Sequence, residues 1–213
     1  KVEPFEAAKN FVKANGSKMD YNVYADPKQE IYNAYMKESG QSGIPCSFII
    51  DQSGILQWIG NPHHPDFDKI VLRVLEGRYD ALKIKEMSSV RSRFDRERKL
   101  KNWDEALSAG NELFQSNTRV FAGVIEEIFV MLLDEMKNKA KAYEWAKLAM
   151  SEIVEDGYYL SEFAEYLLTV KGDNKDLDIA LAFAEAGVNA SGYEKNTRTL
   201  SVLADVYAAR GEM

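Results

Sequence analysis

Cysteine is nearly absent: the 213 residues hold one, Cys46. A lone thiol excludes an internal disulfide and a Cys-x-x-Cys redox pair, so cysteine usage alone assigns no compartment. Long apolar runs are missing too. None approaches the ~20 residues that span a bilayer, so no transmembrane segment is expected in this chain. Positive charge is in deficit, with 34 Asp and Glu against 27 Lys and Arg and a net charge of −7. That balance argues against a nucleic-acid partner, whose phosphates require a basic surface. Histidine is confined to the adjacent pair His63 and His64 in Asn61-Pro62-His63-His64-Pro65. Side chains at i and i+1 diverge and no cysteine is close in sequence, so the pair reads as a solvated loop. No metal or other cofactor is assigned. Walker loops, nucleotide glycine turns, Ser-His-Asp sets and zincin motifs are also missing.

What remains is an ordinary globular composition, with 46% hydrophobic and 29% charged residues and enough chain for one large or two small domains. The cations Arg91, Arg93, Arg96, Arg98, Lys99 and Lys101 cluster locally. Asp95 and Glu97 interrupt them, and the segment reads as a solvated helix face. The chain begins at Lys1 without a charged-then-apolar leader and ends in a helix stopped by Gly211, with no following helix. It is therefore expected to be an interior piece of a longer protein.

The pattern changes near residue 80. Before it, Phe5, Ala8, Phe11 and Val12 recur at helical spacing, and Gly16 stops the helix. Tyr21 to Ala25 is aromatic and β-branched and predicts a strand. Asp26-Pro27 supplies a cap and a first-turn proline for a helix through Lys37. A Gly- and Ser-rich loop leads to Pro45. Cys46 to Ile50 and Ile55 to Ile59 predict a hairpin across the turn Asp51-Gln52-Ser53-Gly54. Phe67, Ile70, Val71, Val74 and Leu75 form one helical stripe, which is expected to lie on the sheet.

From Asp80 onward there are no strand signals. Helices are expected at about 80–100, 104–115, 119–137, 139–155, 158–171, 176–190 and 196–210, with Asp156-Gly157, Gly172-Asp173 and Ser191-Gly192 as stops. Trp103 to Leu107 and Leu177 to Leu181 open alike, and Leu203 to Gly211 is similar to the first helix of a tetratricopeptide (TPR) repeat. The spacing is not a regular 34, so the region is TPR-like rather than an array of perfect repeats.

Gly43-Ile44-Pro45 before a strand, Phe48-Ile49-Ile50-Asp51, Gly54, and Trp58-Ile59-Gly60 with Pro62 after it closely resemble the C-terminal part of the TlpA-like redoxin family. The resemblance covers roughly residues 5–80. Val74 to Asp80 resembles the exit of that domain in redoxins fused to helical regions, and Leu177 to Gly211 is similar to the helical part of such fusions. The fold this implies is an α/β, incomplete thioredoxin-like domain at 1–79, followed by an all-α TPR-like domain at 80–213. Family members are thiol–disulfide oxidoreductases of the bacterial periplasm or envelope, acting on protein thiols and disulfides through a Cys-x-x-Cys thiolate. No catalytic residue of that kind is in this chain. Only the wall of the site carries over: Pro45 at the family's cis-proline, Ile44 before it, whose backbone pairs with extended substrate, and Cys46 after it.

Cys46 stands where the family more usually has Thr or Ala. It reads as a small buried strand residue, or alternatively as a third thiol near the redox pair. Three functions stay open. The first is an envelope oxidoreductase whose helical region docks a peptide or protein. The second is a redox-dead binding module on the same scaffold. The third is a peroxide-reducing redoxin with an upstream peroxidatic cysteine.

Overall fold

A computed structural model describes residues 4–19, 21–191 and 197–212. Gly192, expected as a helix stop, and Asn196, expected to open the last helix, lie outside the described residues, as do Lys1 and Met213. The chain forms two compact units. One comprises the described residues up to Ile49 with Trp58–Phe67, the other Ile50–Gln57 with the described residues from Asp68 onward.

The expected α/β thioredoxin-like fold is not formed. The protein is 67% helical, and among the described residues its sheet is one antiparallel pair, β1 (Ser47–Ile50) and β2 (Leu56–Gly60). The strand expected at Tyr21 to Ala25 is irregular chain, with Tyr21 69% and Tyr24 80% exposed. Aromatic, β-branched composition favours a strand only where a neighbouring strand and a covered face exist. The helix expected from Asp26 starts late. Pro27 sits in a turn, Asp26 accepts from the Glu30 and Tyr32 amides at 2.8 Å, and a π-helix runs over Tyr32–Lys37. Helix α1 (Pro4–Asn15) forms as expected, but Phe5 and Phe11 on its apolar stripe stay exposed.

The hairpin turn is organised by Asp51. Its carboxylate accepts from the Ser53 and Ile55 amides at 2.8 and 2.9 Å and from the Gln57 amide at 2.8 Å. Those bonds, that of Gln57 foremost, hold the Asp51 carboxyl below the usual aspartate range. Gly54 closes the turn at φ 80°, where a side chain would be strained.

The second unit is helical: α2 (Phe67–Leu75, its first residue in the other unit), α3 (Ala81–Glu86), α4 (Ser88–Leu100), α5 (Trp103–Ser116), α6 (Val124–Val130), α7 (Lys139–Glu152), α8 (Gly157–Thr169), α9 (Leu177–Ser191) and α10 (Thr197–Arg210). Neighbours pack in sequence order, α4 on α5, α6 on α7, α8 on α9, with α10 against both α8 and α9. This agrees with the all-α character expected for this region. Phe94, Phe114, Phe129, Phe163 and Phe183 are fully buried in one continuous core. Phe163 meets Phe183 at 4.8 Å and Phe129 at 5.5 Å between ring centroids, which locks α6, α8 and α9 together.

Asp156-Gly157 starts a helix rather than ending one. The Asp156 carboxylate caps α8 by accepting from the Tyr159 amide at 3.0 Å. Gly157 is buried because α9 crosses there. A Cβ on Gly157 would lie 2.7 Å from the Gly187 carbonyl oxygen.

Candidate functional site

The three residues of the expected site wall lie together at the start of β1. Ile44 is 90% exposed, Pro45 is exposed, and Cys46 is half-buried. The Ile44–Pro45 peptide is cis. Cys46 precedes the strand, whose ordered pairing begins at Ser47. Behind the corner, the Phe48 ring meets Tyr35 edge-on at 5.3 Å. Trp58 of β2 packs against Phe67 at 5.5 Å and His64 at 6.4 Å. The two histidines are held in a local turn, where Asn61 accepts from the His63 amide at 2.8 Å. Among the described residues, no three His, Cys, Asp or Glu side chains are grouped to hold a metal ion.

A second site lies wholly within the helical unit. A cavity of about 600 Å³ is lined by α2, the turn after it, α3, α4, α6 with the loop before it, and α8. Its organiser is Arg78, which is buried although it is charged. The Arg78 guanidinium donates to Glu76 from Nε at 2.8 Å and from Nη2 at 2.5 Å, with Glu162 of α8 3.8 Å away. It also lies 4.0 Å from the centroid of the Tyr158 ring. A buried cation needs partners of this kind to offset lost hydration.

Three further arginines tie the walls together. Arg73 donates to the Val120 carbonyl at 2.9 Å, and burial beside Arg78 holds its pKa below the usual arginine range. Arg119 donates to the Glu76 carbonyl at 2.7 Å. Arg91 grips Glu127 with both terminal nitrogens at 2.7 and 2.6 Å, which raises its affinity for its proton. Burial pushes the Glu162 carboxyl above the usual glutamate range, against the pull of Arg78 and Arg198. The cavity thus presents fixed positive charge in a chain that is acidic overall.

Ile44, Pro45 and Cys46 adjoin because they are consecutive in the chain, and sequence reading passes over Arg78. The signal for it is an arginine directly after the apolar helix and its Gly77 stop, in Glu76-Gly77-Arg78-Tyr79-Asp80. The solvated face expected at 91–101 is in part an ion-pair seam. Arg91 reaches Glu127, Arg93 reaches Glu112, and Arg98 reaches Glu135. No helix among the described residues is long and apolar enough to cross a membrane.

No protein-family model, curated protein or solved structure matches the chain.

Proposed function

We propose that the chain works in a thiol–disulfide oxidoreductase of the TlpA-like redoxin type, in the periplasm or cell envelope. It supplies a substrate-facing corner and a helical region for a protein partner. The observation that carries this reading is Ile44, 90% exposed beside Pro45 and Cys46 at the head of a strand. An exposed aliphatic residue ahead of a strand offers main-chain hydrogen-bonding groups to an extended peptide. The reading rests on that corner and on the residues around it, not on a completed α/β sheet.

Exchange requires a thiolate that attacks a substrate disulfide, and a second thiol that resolves the mixed disulfide. With Cys46 as its one thiol, this chain cannot complete that cycle. Insulin reduction by dithiothreitol, with and without protein, tests the reading. The 213-residue chain is expected to leave the rate unchanged. The complete product of its gene is expected to contain Cys-x-x-Cys and accelerate the reaction, and Ile44→Asp in that product is expected to slow it. A complete product without such a pair, or with one and no acceleration, overturns the reading.

A second reading, a non-catalytic protein-binding module, is favoured by the single cysteine. It is distinguished by a complete gene product that holds partner protein but has no cysteine pair.

A further inference from the structure

The arginine-walled cavity of the helical unit has no part in the chemistry proposed for the Pro45 corner, and it has the properties of a binding site in its own right. Its volume of about 600 Å³ lies within the range of small-ligand and peptide pockets. Lys69, Arg73, Arg78, Arg91 and Arg119 supply its cations. The acids lining it, among the described residues, are Glu127 and Glu162. Glu127 is already neutralised by the two-pronged grip of Arg91, and Arg78 is paired with Glu76, whereas Arg73 and Arg119 donate to the neutral carbonyls of Val120 and Glu76. The rest of the wall combines the apolar Leu72, Ile84, Phe121 and Val124 with Ser88, Ser92, Tyr158 and Tyr159.

We propose that this cavity binds an acidic peptide segment of a partner protein, seating a carboxylate against the arginines and a neighbouring aliphatic or aromatic side chain on the apolar wall. Guanidinium groups match carboxylates geometrically, through paired N–H donors. The apolar wall would be left facing water by a bare inorganic anion, and a side chain next to the carboxylate covers it. The net charge of −7 makes the positive cavity a local exception, so attraction of an acidic segment is directed to this place.

The test is fluorescence anisotropy with the full 213-residue chain and a fluorescein-labelled peptide of alternating glutamate and leucine. A matched peptide with glutamine for each glutamate serves as control. Saturable binding of the acidic peptide is expected, at least about tenfold tighter than the glutamine peptide and weakening as salt rises. Arg119→Gln is expected to weaken the acidic peptide by about tenfold while keeping the helical circular-dichroism spectrum and a cooperative melt, since one charge-assisted contact is lost. Equal binding of the two peptides, or no saturable binding, overturns the proposal. That comparison needs no variant, so it stands even if Arg119→Gln misfolds. Inorganic phosphate that displaces the peptide better than chloride at matched ionic strength also overturns it, by assigning the cavity to phosphate. Unchanged affinity in folded Arg119→Gln would place the peptide elsewhere. Insulin reduction does not enter any of these outcomes, so this proposal and that for the Pro45 corner fail independently.

Discussion

At the scale of single residues, the helical unit stores unfavourable carboxylate burial next to favourable arginine pairing. Glu126 is the clearest case. Burial foremost, then the nearby Glu162 and Glu127, pushes its carboxyl above the ordinary glutamate value of 4.5. The folded chain therefore holds this proton at a pH where the unfolded chain has released it. The associated stability is full below pH 4.5 and is lost as pH rises through the higher folded value. Glu126→Gln removes the titration while keeping the shape. Thermal melts should show the variant more stable than the parent at about pH 7 and equal to it at about pH 4. A parent that is the more stable at neutral pH would mean that the Glu126 charge has a favourable partner. None of this is legible in the sequence, where Glu126-Glu127 looks like any exposed acidic pair. The same holds for Arg78, whose burial depends on Glu162 and Tyr158 far along the chain.

At the scale of elements, helix positions were legible because apolar spacing of 3.6 residues and local caps are written into neighbouring residues. The expected helices at 139–155, 158–171 and 176–190 correspond to α7, α8 and α9 with ends moved by a few residues. The role of Gly157 was not legible. Beside Asp156 it looks like a helix stop, yet it opens α8 and lets α9 approach. Which use a buried glycine serves depends on the element that crosses it, and that element is thirty residues away at Gly187. The close approach has a measurable consequence. In Gly157→Ala the new methyl must sit 2.7 Å from the Gly187 carbonyl oxygen, a backbone atom that cannot swing aside. The helices must separate, at a cost of about 1–3 kcal/mol, which exceeds the ~1 kcal/mol that alanine contributes through helix propensity. Urea unfolding should give a lower midpoint with little change in slope. An unchanged midpoint would show that α8 and α9 are free to shift.

At the scale of the whole molecule, burial is divided unevenly between the two units, and this explains why the first was misread. Among the described residues none before Val74 is fully buried, whereas five phenylalanines and most of α5 to α8's inner faces are buried beyond it. The short apolar runs near Tyr21 and Cys46 carry the alternation of an α/β sheet. A strand, however, is a pairing rather than a local property, and among the described residues only β1 and β2 find each other. An isolated two-stranded hairpin is marginal in water, while a helical core of this size sustains cooperative folding. Residues 68–213, prepared alone, should therefore retain strong helical circular dichroism and melt in a single sigmoidal transition. Residues 1–67 alone should show a gradual, non-cooperative change on heating. The Asp80 cap on α3, whose carboxylate accepts from the Lys83 amide at 2.9 Å, stays within the longer fragment, as do all residues of the aromatic core. A sharp transition in the 1–67 fragment would reveal a core that burial does not show there. Its absence from 68–213 would mean that the hairpin turn, through Gln57 accepting from the Ala81 amide at 2.9 Å, is required to start the helical stack.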